Sequence, residues 1–123
     1  MKALVARLWI NPVPKKARPL SLYATKAVVL LGQLIRKARV DRHMSVADVT
    51  VRAGISRGLL RRIETGDPGC TLGAVFEVAT IVGVRLFDAD QTRLSRDVEA
   101  NREVMTLIPK AIRNPRTEPH DDF

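Results

Sequence analysis

Between Ser45 and Gly66 the chain writes two short helices back to back, and this stretch limits its fold more than any other. Ser45 opens a run that closes at Ala53-Gly54, and Ser56 opens a second that stops at Thr65-Gly66. A serine hydroxyl accepts from the orphan N–H groups of a first helical turn, and glycine adopts the left-handed conformation of a tight C-terminal turn. Asp48, three residues after Ser45, is a weak variant of the capping box. Two helices of about eight to ten residues joined by about three residues that include Gly predict a helix-turn-helix. So tight a joint sets the helices near a right angle and leaves the second one prominent on the surface.

The second helix carries the chemistry. At about 100° per residue, Arg57, Gly58, Arg61 and Arg62 share one arc of roughly 140°. Leu60 and Ile63 fall opposite, as anchors to a core, with Leu59 at the boundary. Guanidinium groups bond bidentately to guanine O6 and N7 and also hold phosphate. A bare position at Gly58 costs about 1 kcal/mol of helix stability relative to Ala, and it lets a base edge or a sugar-phosphate strand approach closely. The competing reading is an exposed face whose arginines are merely solvated.

Charge is polarised along the chain. Residues 1–20 carry five basic and no acidic side chains, and residues 21–66 carry nine basic and three acidic. Residues 67–100 reverse this with three basic and six acidic, while 101–123 balance at four each. A net +8 concentrated in the first half points to a defined anion-binding face rather than uniform condensation on nucleic acid.

The flanking segments read more simply. Residues 4–10 have the β-branched and aromatic content of one short strand. Pro12, Pro14 and Pro19 make residues 11–20 an extended basic linker. Ser21 then caps a long helix whose apolar stripe is Tyr23, Ala27, Leu30, Leu31, Leu34, Ile35 and Ala38. Thr71 caps another, with Leu72, Val75, Phe76, Ala79 and Val82 on one face and Gly83 at its end. Residues 101–108 are helix-prone.

Several classes are disfavoured. A chain of 123 residues holds one compact domain with tails. With 46% hydrophobic and 4% aromatic residues, its core is aliphatic. Cys70 is the single cysteine, so neither an internal disulfide nor a cysteine-built zinc site is expected. His43 and His120 lack further ligands at metal spacing. The glycines at 66, 69 and 73 lack the Lys-Ser/Thr of a phosphate loop. No catalysis, metal or cofactor is expected. Arg7 interrupts the N-terminal apolar run too early for a signal peptide, and no stretch reaches membrane-span length, so a cytoplasmic protein is the simplest expectation.

Three blocks, Leu31-Gly32-Gln33-Leu34-Ile35-Arg36-Lys37-Ala38-Arg39, Ser45…Val49-Thr50…Ala53-Gly54-Ile55-Ser56-Arg57 and Leu60…Arg62-Ile63-Glu64-Thr65-Gly66, together resemble the phage-repressor (XRE) helix-turn-helix family. The resemblance spans about residues 28–84. It implies an all-α, lambda-repressor-like helix-turn-helix bundle of four to five helices, with room for the short N-terminal strand. Carried over by position, it implies base readout by Arg57, Gly58, Arg61 and Arg62. It also implies phosphate contacts at Ser45, Ser56 and Arg39, with Arg39 paired to Glu64, while Arg36, Lys37, Arg42, Arg52 and the basic arm 15–18 are expected at phosphate on their charge. Val46 and Leu59 replace residues that are usually polar, and Thr50 replaces a usual Ala at the crossing of the two helices, its hydroxyl expected to bond a backbone carbonyl. Residues 62–73 with Val82-Gly83-Val84, and the ending Ile108-Pro109-Lys110-Ala111-Ile112-Arg113, are similar to HipB-like antitoxins, whose partner is a HipA-like kinase toxin.

The resulting expectation is a sequence-specific repressor that is the antitoxin of a HipA-like toxin-antitoxin pair and autoregulates its operon, binding double-stranded DNA as a homodimer on an inverted-repeat operator. Dimer contacts are sought among Val84, Leu86, Phe87, Leu94 and strand 4–10. The segments are residues 1–20 as arm and linker, 21–98 as DNA-binding domain and 99–123 as a partly helical or disordered tail. The rivals are a stand-alone XRE regulator without a toxin, an interaction module that neutralises a kinase-like toxin, and a nonspecific nucleic-acid or membrane binder.

Overall fold

In a computed structural model that describes residues 19–112, the chain forms five helices and, among those residues, no strand. The helices are α1 (Leu22–Asp41), α2 (Val46–Ala53), α3 (Arg57–Glu64), α4 (Leu72–Val82) and α5 (Gln91–Leu107). The strand expected over 4–10, the basic arm at 15–18 and His120 lie outside the described residues. The chain divides after Val84 into two units, the first holding α1–α4 and the second α5.

Each helix start is set by a side-chain oxygen. Ser21, Ser45, Ser56 and Thr71 accept from the N–H three residues on, as does Asp90 from Arg93. At Ser45 the capping box is complete, since the Ser45 N–H also donates to Asp48 Oδ2 at 2.8 Å. Gly54 and Gly83 end α2 and α4 with φ of 68° and 88°. Few L-residues accept that conformation without strain.

In the first unit α2 lies on α4, α1 crosses α3 and α4, and α2 meets α3 at their shared turn. Ile35, Val49, Leu60, Ile63, Val78, Ala79 and Val82 form its buried core. The five large ones at 1% exposure or less, Ile35, Val49, Leu60, Val78 and Val82, contribute about 1.5–3 kcal/mol each relative to exposure. Thr50 is buried among them and donates its hydroxyl proton toward the Val46 carbonyl at 2.9 Å, the bond expected of it.

Two helix faces differ from the sequence reading. On α1 the inward side is Ala24, Val28, Leu31, Gly32, Ile35, Ala38 and Arg39. Tyr23 is 84% exposed, and Ala27, Leu30 and Leu34 are also exposed. The difference is a turn of the helix by about one residue, or roughly 100°. Gly32 and Arg39, which an apolar stripe omits, sit at the contact with α3 and fix that rotation. A Cβ on Gly32 would collide with the Ile63 carbonyl oxygen and stand 3.0 Å from that of Glu64. On α4 the inward side is Val75, Phe76, Val78, Ala79 and Val82, while Leu72 is exposed in the first turn. Val78, fully buried, supplies the core position that the stripe through Leu72 leaves out.

In the second unit, α5 runs through the expected 98/99 border as one helix of 17 residues and buries none of them.

Candidate nucleic-acid interface

The surface begins with α3. The Ser56 hydroxyl accepts from Leu59 N at 3.0 Å and fixes the first turn. Leu60 and Ile63 are 1% and 3% exposed, so they anchor one side of an eight-residue helix to the core. Arg57, Gly58, Arg61 and Arg62 are exposed on the other side, and Leu59 is half-buried between the two. With so short a helix, two buried aliphatic side chains suffice to decide which arc meets solvent.

A groove of about 600 Å³ runs between α3, the last turns of α1 and the start of α2. Arg57, Gly58 and Arg61 enter it from α3, Arg36 and Arg39 from α1, and Val46 from α2. Four arginines along one open groove create a strongly positive local potential, and the missing side chain at Gly58 leaves its floor accessible to a strand or base edge. Nothing lies within 3.4 Å of where a Gly58 Cβ would stand, so the glycine is not required by the protein's own fold.

One acid sits at the inner wall of that groove. Arg39 Nε donates to Glu64 Oε2 at 2.7 Å and Nη2 to Oε1 at 3.1 Å, while Nη1 donates to the Met44 carbonyl at 3.0 Å. Their side chains are only 11% and 8% exposed. The bonds to Glu64 raise the Arg39 pKa further above its already high ordinary value, against the opposing effect of burial. Arg39 thus has most of its donors committed inside the protein. Arg36, 66% exposed and 3.9 Å from Glu64 Oε1, keeps its guanidinium open to the groove.

The remaining basic residues are placed differently from one another. Arg62 does not line the groove, and its Nε lies 3.4 Å from Asp67 Oδ2 in the turn that follows α3. Lys37 donates to Asp41 at 2.8 Å on an exposed face, and that bond holds its ammonium protonated above the usual lysine range. The Arg42 guanidinium lies over Gly83 at the end of α4, where an added Cβ would stand 2.5 Å from Nη2. Arg52, in the last turn of α2, borders a shallow depression with Met44, Ala47, Asp48 and Val51. Ser45 and Ser56 are exposed at the N-termini of α2 and α3, where backbone N–H groups and the helix dipole favour an anion.

Thr65 also lines the groove and was not singled out as a site residue. Its place directly after the arginine-bearing arc is the available signal. Gly66 matters for a different reason. Its φ is +84°, and an added Cβ would stand 2.8 Å from Val29 Cα, so α1 and the end of α3 approach backbone to backbone at both Gly32 and Gly66. Among the described residues no group of His, Cys, Asp or Glu is placed to hold a metal, and no helix is long and apolar enough to cross a membrane.

No curated protein and no solved structure matches the chain at a significant level. A family model described as a helix-turn-helix domain does match, over residues 30–94, which is more than half of the sequence. That span runs from the middle of α1 into the first turn of α5 and includes the whole groove. The described part of the chain is an all-α helix-turn-helix bundle, and the protein belongs to the helix-turn-helix domain family.

Proposed function

We propose that the protein is a sequence-specific DNA-binding transcriptional repressor that works as a homodimer on an inverted-repeat operator. The observation that carries this reading is the exposed arc of α3, with Arg57, Gly58 and Arg61 sharing one groove while Leu60 and Ile63 hold the helix to the core. Arg57, Arg61 and Arg62 read base edges in the major groove, Arg62 after exchanging Asp67 for DNA. Gly58 allows the close approach. Arg36, Lys37, Arg42, Arg52 and the caps Ser45 and Ser56 meet the sugar-phosphate backbone, which sets register and most of the affinity. Arg39 meets phosphate only through its uncommitted N–H groups and otherwise positions α3 through Glu64. The protein acts by occupancy rather than catalysis, in the cytoplasm where its DNA lies.

Selection of bound duplexes from a random pool tests this directly. The expected result is an enriched inverted repeat with half-sites about one helical turn apart. A pool that binds but never enriches would reduce the protein to a nonspecific polycation.

A second reading adds a HipA-like kinase toxin that the protein neutralises while repressing its own operon. What supports it is the similarity at residues 62–73 and 108–113, together with Ile108 and Ile112 standing 49% and 87% exposed just past α5. Co-purification with the product of the adjacent gene tests it. Failure to recover a kinase-like partner would leave the stand-alone repressor.

A further inference from the structure

Helix α5 is long for an element with no fully buried residue and only Leu94 half-buried. A 17-residue helix is marginal by itself in water, and its lasting stability comes from covering an apolar face. Such a face is present. Phe87, from the turn before α5, and half-buried Leu94 line a groove of about 590 Å³ with Val98, Asn101 and Met105, and Asp97 and Arg102 border it. Val98 is 50% and Met105 56% exposed.

The spacing of these residues is specific. Within the helix the steps from Leu94 to Val98, Asn101 and Met105 are four, three and four, the a/d spacing of a left-handed coiled coil over about one and a half heptads, and Ile108 follows as the extended C-cap. Leu94 and Asn101 then occupy d positions, Val98 and Met105 a positions. Asp97 falls at g and Arg102 at e. In a parallel, in-register pair each g residue meets the e residue five positions on in the other helix. Asp97 would therefore face Arg102 of the partner subunit, and the reverse pair would form by symmetry. An antiparallel pair sets g beside g and e beside e, which brings Asp97 to Val104 and Arg102 to Ser95 with no opposite charges. Asn101 puts a polar amide in the seam, where in register the two amides face each other, while a slip of one heptad sets Asn101 against Leu94. The present partners of the flanking charges are loose. Arg93–Asp97 is 3.8 Å and Glu99–Arg102 is 3.5 Å, with all four side chains more than half exposed.

We infer that α5 is a homotypic interface, pairing with α5 of a second copy as a short parallel coiled coil that Asp97 and Arg102 orient. The inference rests on the homodimer reading above, for which it supplies the contact. So short a seam makes a modest interface, so the free protein dimerises reversibly, and adjacent half-sites on DNA raise the local concentration of the second copy.

Sedimentation equilibrium of the full chain, without DNA, tests the contact apart from operator reading. Asp97→Arg and Arg102→Asp should each weaken dimerisation about tenfold, since each swap creates two like-charged pairs, and the double swap should restore it. In a Cys70→Ser background, Asn101→Cys should form a disulfide between copies, whereas Arg96→Cys, pointing away at f, should not. A dimer indifferent to the swaps, or cross-linking equal at 96 and 101, would overturn the α5 contact and leave a homodimer formed elsewhere. A chain that stays monomeric throughout would overturn both the contact and the dimer, while base reading by α3 would still be decided by the duplex selection.

Discussion

Arg39 and Glu64 stand 25 residues apart in sequence, yet two N–H···O bonds of 2.7 and 3.1 Å tie them side by side between α1 and α3. Little solvent reaches either side chain, so each charge depends chiefly on the other for compensation, with Arg36 3.9 Å from Glu64 as a further cation. Removing one partner strands the other, whereas replacing both by apolar groups removes the desolvation cost altogether.

Arg39→Met should therefore lower unfolding free energy by about 3–5 kcal/mol, and Arg39→Met with Glu64→Leu should recover most of that loss. Urea denaturation of the single and double variants measures both. If the double variant is as unstable as the single one, the pair contributes through shape rather than charge.

The glycines of α1 and α3 should respond in opposite directions. Alanine is favoured over glycine within a helix by about 1 kcal/mol. At Gly32 the added methyl meets backbone carbonyls that cannot swing aside, so Gly32→Ala should be destabilising by about 1–3 kcal/mol. At Gly58 only the Ser56 hydroxyl, 3.9 Å away, comes near the new methyl. Gly58→Ala should raise the thermal midpoint slightly and yet weaken operator binding, because the methyl would occupy space needed by DNA. Equal stability loss at both positions would sink the distinction.

The helix-turn-helix was legible because its signals are local. Ser45, Gly54, Ser56 and Gly66 act on their own turns, and Leu60 with Ile63 leave no choice about which side of α3 is buried. The α1 face was misread for a non-local reason. Gly32 and Arg39 form contacts with Ile63 and Glu64, and hydropathy periodicity has no means of scoring a close backbone approach or a half-buried ion pair. Arg42 and Arg62 illustrate the same limit, since a count of exposed cations does not reveal that one lies over Gly83 and the other beside Asp67. The extent of α5 was missed where the Asp90 cap signals its start, three residues before the amide it bonds.

Acid should loosen the start of α2. The Ser45 backbone N–H holds the Asp48 carboxyl below the usual carboxylate range, with the Ser45 hydroxyl adding to the effect. A depressed folded-state pKa gives stability that is present above the unfolded value, near 3.9, and is lost as pH falls through the folded value. The thermal midpoint should thus drop below about pH 4. Asp48→Asn keeps an acceptor for the Ser45 N–H but cannot titrate, so its midpoint should fall less steeply across the same window. Superimposable pH profiles would assign the acid sensitivity to other groups, of which Asp41, lowered by its bond from Lys37, is the next to replace.

Operator reading should separate the arginines of α3 by their present partners. Arg57 and Arg61 open into the groove, so replacing either with Ala should cost about 1–3 kcal/mol on the selected operator and relax base preference. Arg62 first has to leave Asp67, which offsets part of any gain at DNA, so Arg62→Ala should cost less. Asp67→Asn retains the side-chain oxygen that accepts from Gly69 N at 2.7 Å but frees the guanidinium. It should tighten binding to the operator. If the freed Arg62 settles on phosphate, the slope of log affinity against log salt steepens by about one. If it settles on a base, the operator gains more than random DNA and the slope stays as it was. Titrations at three salt concentrations on both duplexes distinguish these outcomes, and no change on either duplex would remove Arg62 from the DNA-reading surface.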